Sequence, residues 1–204
     1  MIEESIVEQD IFEEELKWLA CEERCRNITA LLEDLLLMHG SSFVNQLKEI
    51  TAHRAFYPIK GETDIYSTGG ERGEDYENLL NAARKAVEHG YRVFILPNPK
   101  GIRTADFIFE RKGVYKMFDL KTIFGRSSAC NRLLESIGQT NHVILYMAVN
   151  YDPRLLAKDI KTYFEVNQDA REVLIMKGNK LLPVSRRFVD GRDYYKMFIK
   201  RYLK

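Results

Sequence analysis

The sequence predicts an α/β domain over residues 74–204, preceded by an acidic helical segment over residues 1–60. Three observations predict it. Apolar residues recur at helical spacing through the first fifty positions. Beyond residue 74, one further helical stretch gives way to short runs rich in aromatic and β-branched side chains, and Gly or Pro punctuation separates these runs at strand-like intervals.

Between Ile6 and Met38, the residues Phe12, Leu16, Leu19, Ile28, Leu31, Leu32, Leu35 and Leu36 set a helical stripe, read as two helices with a break near Asn27. His39-Gly40-Ser41-Ser42 then offers a C-cap glycine followed by an N-cap serine, and Phe43, Val44, Leu47 and Ile50 give a third helix its apolar face. Residues 55–73, with Pro58 and four glycines, read as a connection and hold a soft boundary.

Past Gly73 a helix runs through Tyr76, Leu79, Leu80, Ala83 and Val87 and is stopped by Gly90. A strand at Tyr91–Leu96 ends at Pro97-Asn98-Pro99. Thr104–Phe109 and Val114–Leu120 form a predicted hairpin around Glu110-Arg111-Lys112-Gly113. A helix at about Ser127–Gly138 follows, and His142–Val149 is an apolar run of the kind buried on both faces. The order is helix, three strands, helix, strand. Asp152-Pro153 opens a helix to about Val166, Val173–Met176 and Lys180–Val184 flank a Gly178-Asn179 turn, and a basic helix begins after Gly191.

Composition narrows the function classes. A hydrophobic content of 45% in 204 residues is enough for a core without covalent staples. Three cysteines cannot complete a disulfide set, and no apolar run approaches the ~20 residues of a membrane span. The opening stretch, with Glu3, Glu4 and Glu8, lacks the pattern of a signal peptide. A soluble protein acting inside a cell is expected, and a domain cut from a larger secreted protein has the same composition. The formal net charge of +1 hides an asymmetry: residues 1–40 carry 11 acidic and 3 basic side chains, and the remainder carries a positive excess of about 9. Arg186, Arg187, Arg192, Lys196, Lys200, Arg201 and Lys204 outnumber Asp190 and Asp193 near the end, a segment suited to a phosphate backbone or to a solvated helix face.

The hairpin carries the chemistry. With its turn near residues 112–113, paired positions sum to about 225, which sets Asp106 opposite Asp119, with Lys121 two residues along on the same face as Asp119. Like charges facing each other across neighbouring strands repel, and Asp is disfavoured in strands, so local stability does not choose this pattern. A hard cation such as Mg²⁺ or Mn²⁺, with Zn²⁺ a further candidate, resolves the conflict and activates water for attack on phosphorus. Asp-x-Lys alone is a common surface pair worth well under ~1 kcal/mol. Here the apolar Phe107, Ile108, Phe109, Phe118, Leu120 and Ile123 surround it and imply partial burial, which a charge must justify.

On these residues the stretch 74–149 resembles the PD-(D/E)xK nuclease superfamily. The resemblance implies a restriction-endonuclease-like core, a mixed sheet flanked by helices, with a glutamate on the first helix (Glu77), an aspartate on the second core strand (Asp106) and an acidic-x-lysine on the third (Asp119-Leu120-Lys121). Two positions depart from the family pattern: Ala105 stands where a proline is usual, and Asp119 where a glutamate is usual. More narrowly, Gly73-Glu74-Asp75-Tyr76-Glu77, Thr104-Ala105-Asp106-Phe107, Asp119-Leu120-Lys121-Thr122 and Gln139 are similar to the C-terminal toxin nuclease domains of bacterial contact-dependent growth inhibition proteins. That similarity implies cleavage of tRNA or DNA, opposition by an immunity protein, and a cytoplasmic site of action reached as part of a larger secreted protein.

The expected roles are metal ligation by Asp106 and Asp119, ligation or water contact by Glu77, electrostatic catalysis by Lys121 and an amide contact by Gln139. Glu77 is also a plausible solvated helix residue, although Tyr76, Leu79, Leu80 and Ala83 set it near the buried stripe. Arg126, Ser127, Ser128 and Arg132 suit either a phosphate at a helix N-terminus or simple capping by the serines. Other patterns carry nothing. Cys21 and Cys25, even with His39 or His53, lack a second pair at zinc spacing; Gly61, Gly69, Gly70 and Gly73 lack the Lys-Ser or Lys-Thr of a phosphate loop; His142 opens an apolar strand as a structural residue. The rival from another class is a non-catalytic module that keeps the nuclease fold to bind nucleic acid or protein in a phage, mobile-element or secretion assembly. A helical interaction protein with an incidental α/β portion is a third reading.

Overall fold

The structure is a computed structural model and describes residues 56–67, 75–96, 105–112, 114–125 and 129–204. The three helices expected before residue 51, Cys21, Cys25, His39, His53 and the Arg126-Ser127-Ser128 stretch lie outside the described residues. The chain divides into two compact units, one ending at Met117 and the other running Phe118–Lys204.

In the first unit, β1 (Tyr57–Pro58) pairs antiparallel with β2 (Ile65–Ser67), β2 runs parallel to β3 (Arg92–Ile95), and β3 runs antiparallel to β4 (Phe107–Arg111). The stretch 55–73, expected to be a connection, therefore contains two strands. They are two and three residues long, and β2 draws its pairing from β3, distant in sequence (Tyr66 beside Phe94), so no local alternation announces them. The helix α1 (Tyr76–Glu88) turns Leu80, Ala82, Ala83 and Ala86 inward. It ends as Gly90 predicts: that glycine adopts φ 80° and its N–H donates to the carbonyl of Val87 at 2.8 Å, while His89 N–H donates to Ala86. Val93, Phe94 and Ile95 of β3 stand in register with Phe109, Ile108 and Phe107 of β4, all six buried.

The second unit holds most of β5 (Val114–Ile123), the short α2 (Ala129–Leu134), β6 (His142–Met147), α3 (Pro153–Val166), β7 (Glu172–Lys177), β8 (Lys180–Ser185), α4 (Arg186–Val189) and α5 (Tyr194–Leu203). β5, β6 and β7 are parallel neighbours, and β8 returns antiparallel to β7 through the Gly178-Asn179 turn, where Gly178 takes φ 54°. β6 is buried on both faces, only Tyr146 being partly open, which explains its uninterrupted apolar sequence. Asp152 caps α3 with its carboxylate, accepting from the N–H groups of Arg154 and Leu155 at 2.9 and 2.8 Å, and Pro153 fills the first helical position.

One core joins these elements: Val143, Leu145, Val173 and Ile175 from the strands meet Leu156, Ile160, Tyr163 and Phe164 of α3, with Leu133 of α2 and Phe198 of α5. The core order helix, three strands, helix, strand is thus present as α1, β3, β4, β5, α2 and β6. The fold class is mixed α/β.

Candidate active site

β5 positions the two residues that matter most. Side chains alternate along a strand, so Asp119, Lys121 and Ile123 share one face, and the parallel register sets them beside Val143, Leu145 and Met147 of β6. Those β6 residues belong to the core under α2 and α3. Asp119 therefore enters the margin of an apolar interior: its side chain is 2% exposed. Lys121 Nζ lies 2.6 Å from Asp119 Oδ2 and its side chain keeps 14% exposure. The pair lowers the cost of holding a carboxylate away from water, because each charge is the other's counter-ion.

A chain of hydrogen bonds lies next to this pair. Ser136 Oγ donates to the Leu133 carbonyl at 2.6 Å, which commits its only proton. The Tyr163 hydroxyl, 3.3 Å away, must then donate to Ser136 Oγ, and it accepts in turn from Asn167 Nδ2 at 3.2 Å. Burial pushes the Tyr163 phenol above its ordinary pKa, and the negative charge of Asp119 adds to the rise against the bond donated by Asn167. Tyr163 is thus a neutral hydroxyl within electrical reach of Asp119.

The remaining candidates are placed as follows. Gln139 lies in the turn after α2, where its Nε2 donates to the Glu135 carbonyl at 2.9 Å and its backbone N–H to Ser136 at 3.0 Å. One of its two amide protons is thereby committed to the backbone. Asp106 stands one residue before β4, half-buried, with its carbonyl accepting from Leu96 N–H at 2.9 Å. Glu77 occupies the first turn of α1, where a negative charge suits the helix dipole. Its side chain is exposed, not held against the buried stripe as its apolar neighbours suggest. Among the described residues, no group of three or more His, Cys, Asp or Glu side chains is gathered closely enough to share a metal ion.

The start of α2 and one basic residue are held by partners distant in sequence. The N-terminus of α2 is satisfied from thirty residues away: Ala129 N–H donates to Asp159 Oδ2 at 3.1 Å and to the Tyr151 hydroxyl at 3.0 Å, and Tyr151 itself donates to Asp159 at 2.8 Å. Arg186, counted within the basic segment, turns inward. Its Nε donates to Ala170 O at 3.1 Å, its guanidinium donates to Asn167 O at 2.5 Å, and it packs over the Phe164 ring. It is a structural clasp on the end of α3.

Cys130, on α2, is half-buried, and burial followed by the charge of Asp159 raises its pKa, which keeps the thiol protonated and a poor nucleophile. His142 is buried beside the Phe118 ring, in keeping with a structural role. No helix among the described residues is long and apolar enough to cross a membrane.

No known family model and no curated protein matches the chain. Among solved structures, a chain of a CdiA-CT/CdiI toxin and immunity complex from Burkholderia pseudomallei is similar, at 12% identity and a TM-score of 0.42, over 59% of this chain and 98% of that one. The functional reading rests on this chain's own side chains.

Proposed function

We propose that the chain is a metal-dependent phosphodiesterase that hydrolyses nucleic acid, with Asp119 and Lys121 at its centre. The observation that carries the reading is the buried acid beside an amine on one strand face, Lys121 Nζ being 2.6 Å from an aspartate only 2% exposed. A fold gains little from choosing a buried ion pair over apolar residues of the same size, so a pair kept at the edge of a core calls for a task. The donor chemistry fits a hard cation: Asp119 offers carboxylate oxygen, and Mg²⁺ or Mn²⁺ is commonly held by one or two carboxylates together with waters and substrate phosphate. Asp106, which the hairpin register read from the sequence sets opposite Asp119, is the second ligand in this reading, and Glu77, exposed on α1, is left outside the ligand set.

When bound, the cation supplies charge neutralisation at the phosphate and a more acidic water. Lys121 does the rest from the protein side: its ammonium is held in place by Asp119 and is available to stabilise negative charge on phosphate oxygens. Ser136, bonded to the Leu133 carbonyl and to Tyr163, fixes the turn that bears Gln139. A toxin role opposed by an immunity protein follows from the residues around Glu77, Asp106, Asp119 and Gln139 that resemble such nuclease domains.

The test is incubation of the full chain with mixed tRNA and with plasmid DNA in Mg²⁺, Mn²⁺ or EDTA. Cutting in either metal, abolished by EDTA and by Asp119→Ala, supports the enzyme. Binding of either nucleic acid with no cutting in any metal supports the non-catalytic module instead.

A further inference from the structure

We infer that the outward face of α5 is a docking surface for the phosphate backbone of nucleic acid, built from Lys196, Lys200 and Lys204. The helix is two-sided. Tyr194, Phe198 and Tyr202 are buried at a spacing of four, and the lysines follow each of them two positions later, about 200° round the helix and so on the opposite face. All three lysines are exposed, and residues 194–204 contain no Asp or Glu.

Helix energetics do not account for the stripe. Cations at the C-terminal end suit the helix dipole, which covers Lys200 in the last turn and Lys204 at the C-cap, but Lys196 sits in the first turn, where a positive charge is unfavourable, and lysines four apart repel. Nor is the helix suited to a lipid surface: its apolar stripe is buried in the core of the second unit, and the apolar side chains left exposed, Tyr195, Met197 and Leu203, are spread round the helix and form no single face to insert. A row of lysines about 6 Å apart along the axis matches a polyanion instead. Tyr195, 43% exposed with Lys161 Nζ 5.6 Å from its ring centroid, adds an aromatic surface at the edge of the row. Arg186 and Arg201 are not part of it, since the first clasps α3 and the second lies over the Phe188 ring.

The inference rests on the proposed function only in naming nucleic acid as the polyanion, and its test keeps the two apart. Anisotropy of fluorescein-labelled tRNA and of a labelled DNA duplex is followed with the full chain in EDTA, across a salt series, so that no cleavage enters the readout. The variant K196Q/K200Q/K204Q is compared with K60Q/K112Q/K180Q, which loses the same charge at exposed lysines elsewhere. Circular dichroism checks both folds, and single K200Q serves if the triple variant is impaired. The stripe variant should bind at least tenfold more weakly than the control and lower the slope of log K against log salt by about 2–3, or about 1 for K200Q. Tighter binding in the tRNA arm or in the DNA arm identifies the source of the backbone. Equal weakening in both variants, or an unchanged salt slope, overturns the inference, as does binding to phosphatidylserine vesicles without binding to either nucleic acid. Metal-dependent cutting that survives the stripe variant while binding is unchanged leaves the catalytic reading standing without this surface.

Discussion

Lys121 Nζ lies 2.6 Å from Asp119 Oδ2, with the aspartate 2% and the lysine 14% exposed, so the two charges depend on each other inside the margin of a core. Lys121→Met removes the counter-ion and leaves a buried carboxylate without it. Removing one partner of a fully buried pair costs about 3–5 kcal/mol, and the residual exposure of Lys121 sets the expectation near the lower end. Asp119→Asn combined with Lys121→Met recovers most of that loss, because both charges are then gone. Urea denaturation of the four proteins in this cycle measures it. Additive losses would show the pair to be uncoupled.

Arg186 and Lys200 separate structural from surface cations. Arg186→Ala deletes charged hydrogen bonds to Asn167 O and Ala170 O and the packing on Phe164. It is expected to cost about 1.5–3 kcal/mol and to leave nucleic-acid affinity within twofold once the folded fraction is corrected. Lys200→Gln is expected to show the reverse, with an unchanged melting temperature and weaker binding.

The link between α2 and α3 gives a third prediction. Asp159→Ala strips Ala129 N–H and the Tyr151 hydroxyl of their buried carboxylate partner. A loss of about 1–3 kcal/mol is expected, larger than the ~1 kcal/mol for Asp152→Ala at the exposed N-cap of α3. Thermal melts of the two variants compare the costs directly. Equal effects would mean that the buried cap holds no more than the exposed one.

Alkaline stability should fail early. Burial raises the phenol pKa of Tyr151, Tyr163, Tyr194 and Tyr202, and Tyr194 donates to the Ala157 carbonyl at 2.9 Å. A group whose pKa is raised by folding binds its proton more tightly in the native state. The stability it carries is complete below the unfolded phenol pKa, about 10, and is lost as pH climbs from there through the folded value. Urea midpoints should be flat across this group's range up to about pH 9 and fall beyond it, with the phenolate absorbance of these four rings rising together with unfolding. Phenolate absorbance equivalent to all eleven tyrosines before unfolding would contradict the burial assigned to these four.

Much of this architecture is legible in the chain itself. Asp152-Pro153 states a capped helix start, and the apolar run from His142 states a strand buried on both faces. Gly90 and Gly178 mark a helix stop and a turn that the structure contains. What escapes a reading of local pattern depends on partners distant in sequence. β2 exists because β3 pairs with it, α2 is capped by Asp159 from α3, and it ends at Leu134 in a run of turns short of Gly138. The same holds for the site. Period-two alternation foretells that Asp119 and Lys121 share a face, whereas nothing near Ser136, Tyr163 or Asn167 in sequence links them to one another, and Arg186 looks like one more surface cation until its bonds to α3 are seen.

The central claim is that the acid on β5 serves phosphodiester hydrolysis, and the initial rate of nucleic-acid cleavage in Mg²⁺ by the parent chain and by Asp119→Asn, each confirmed as folded, tests it most directly. The account predicts metal-dependent cutting by the parent chain and a fall of at least about 10²-fold in the variant. Equal rates in the two proteins would contradict it.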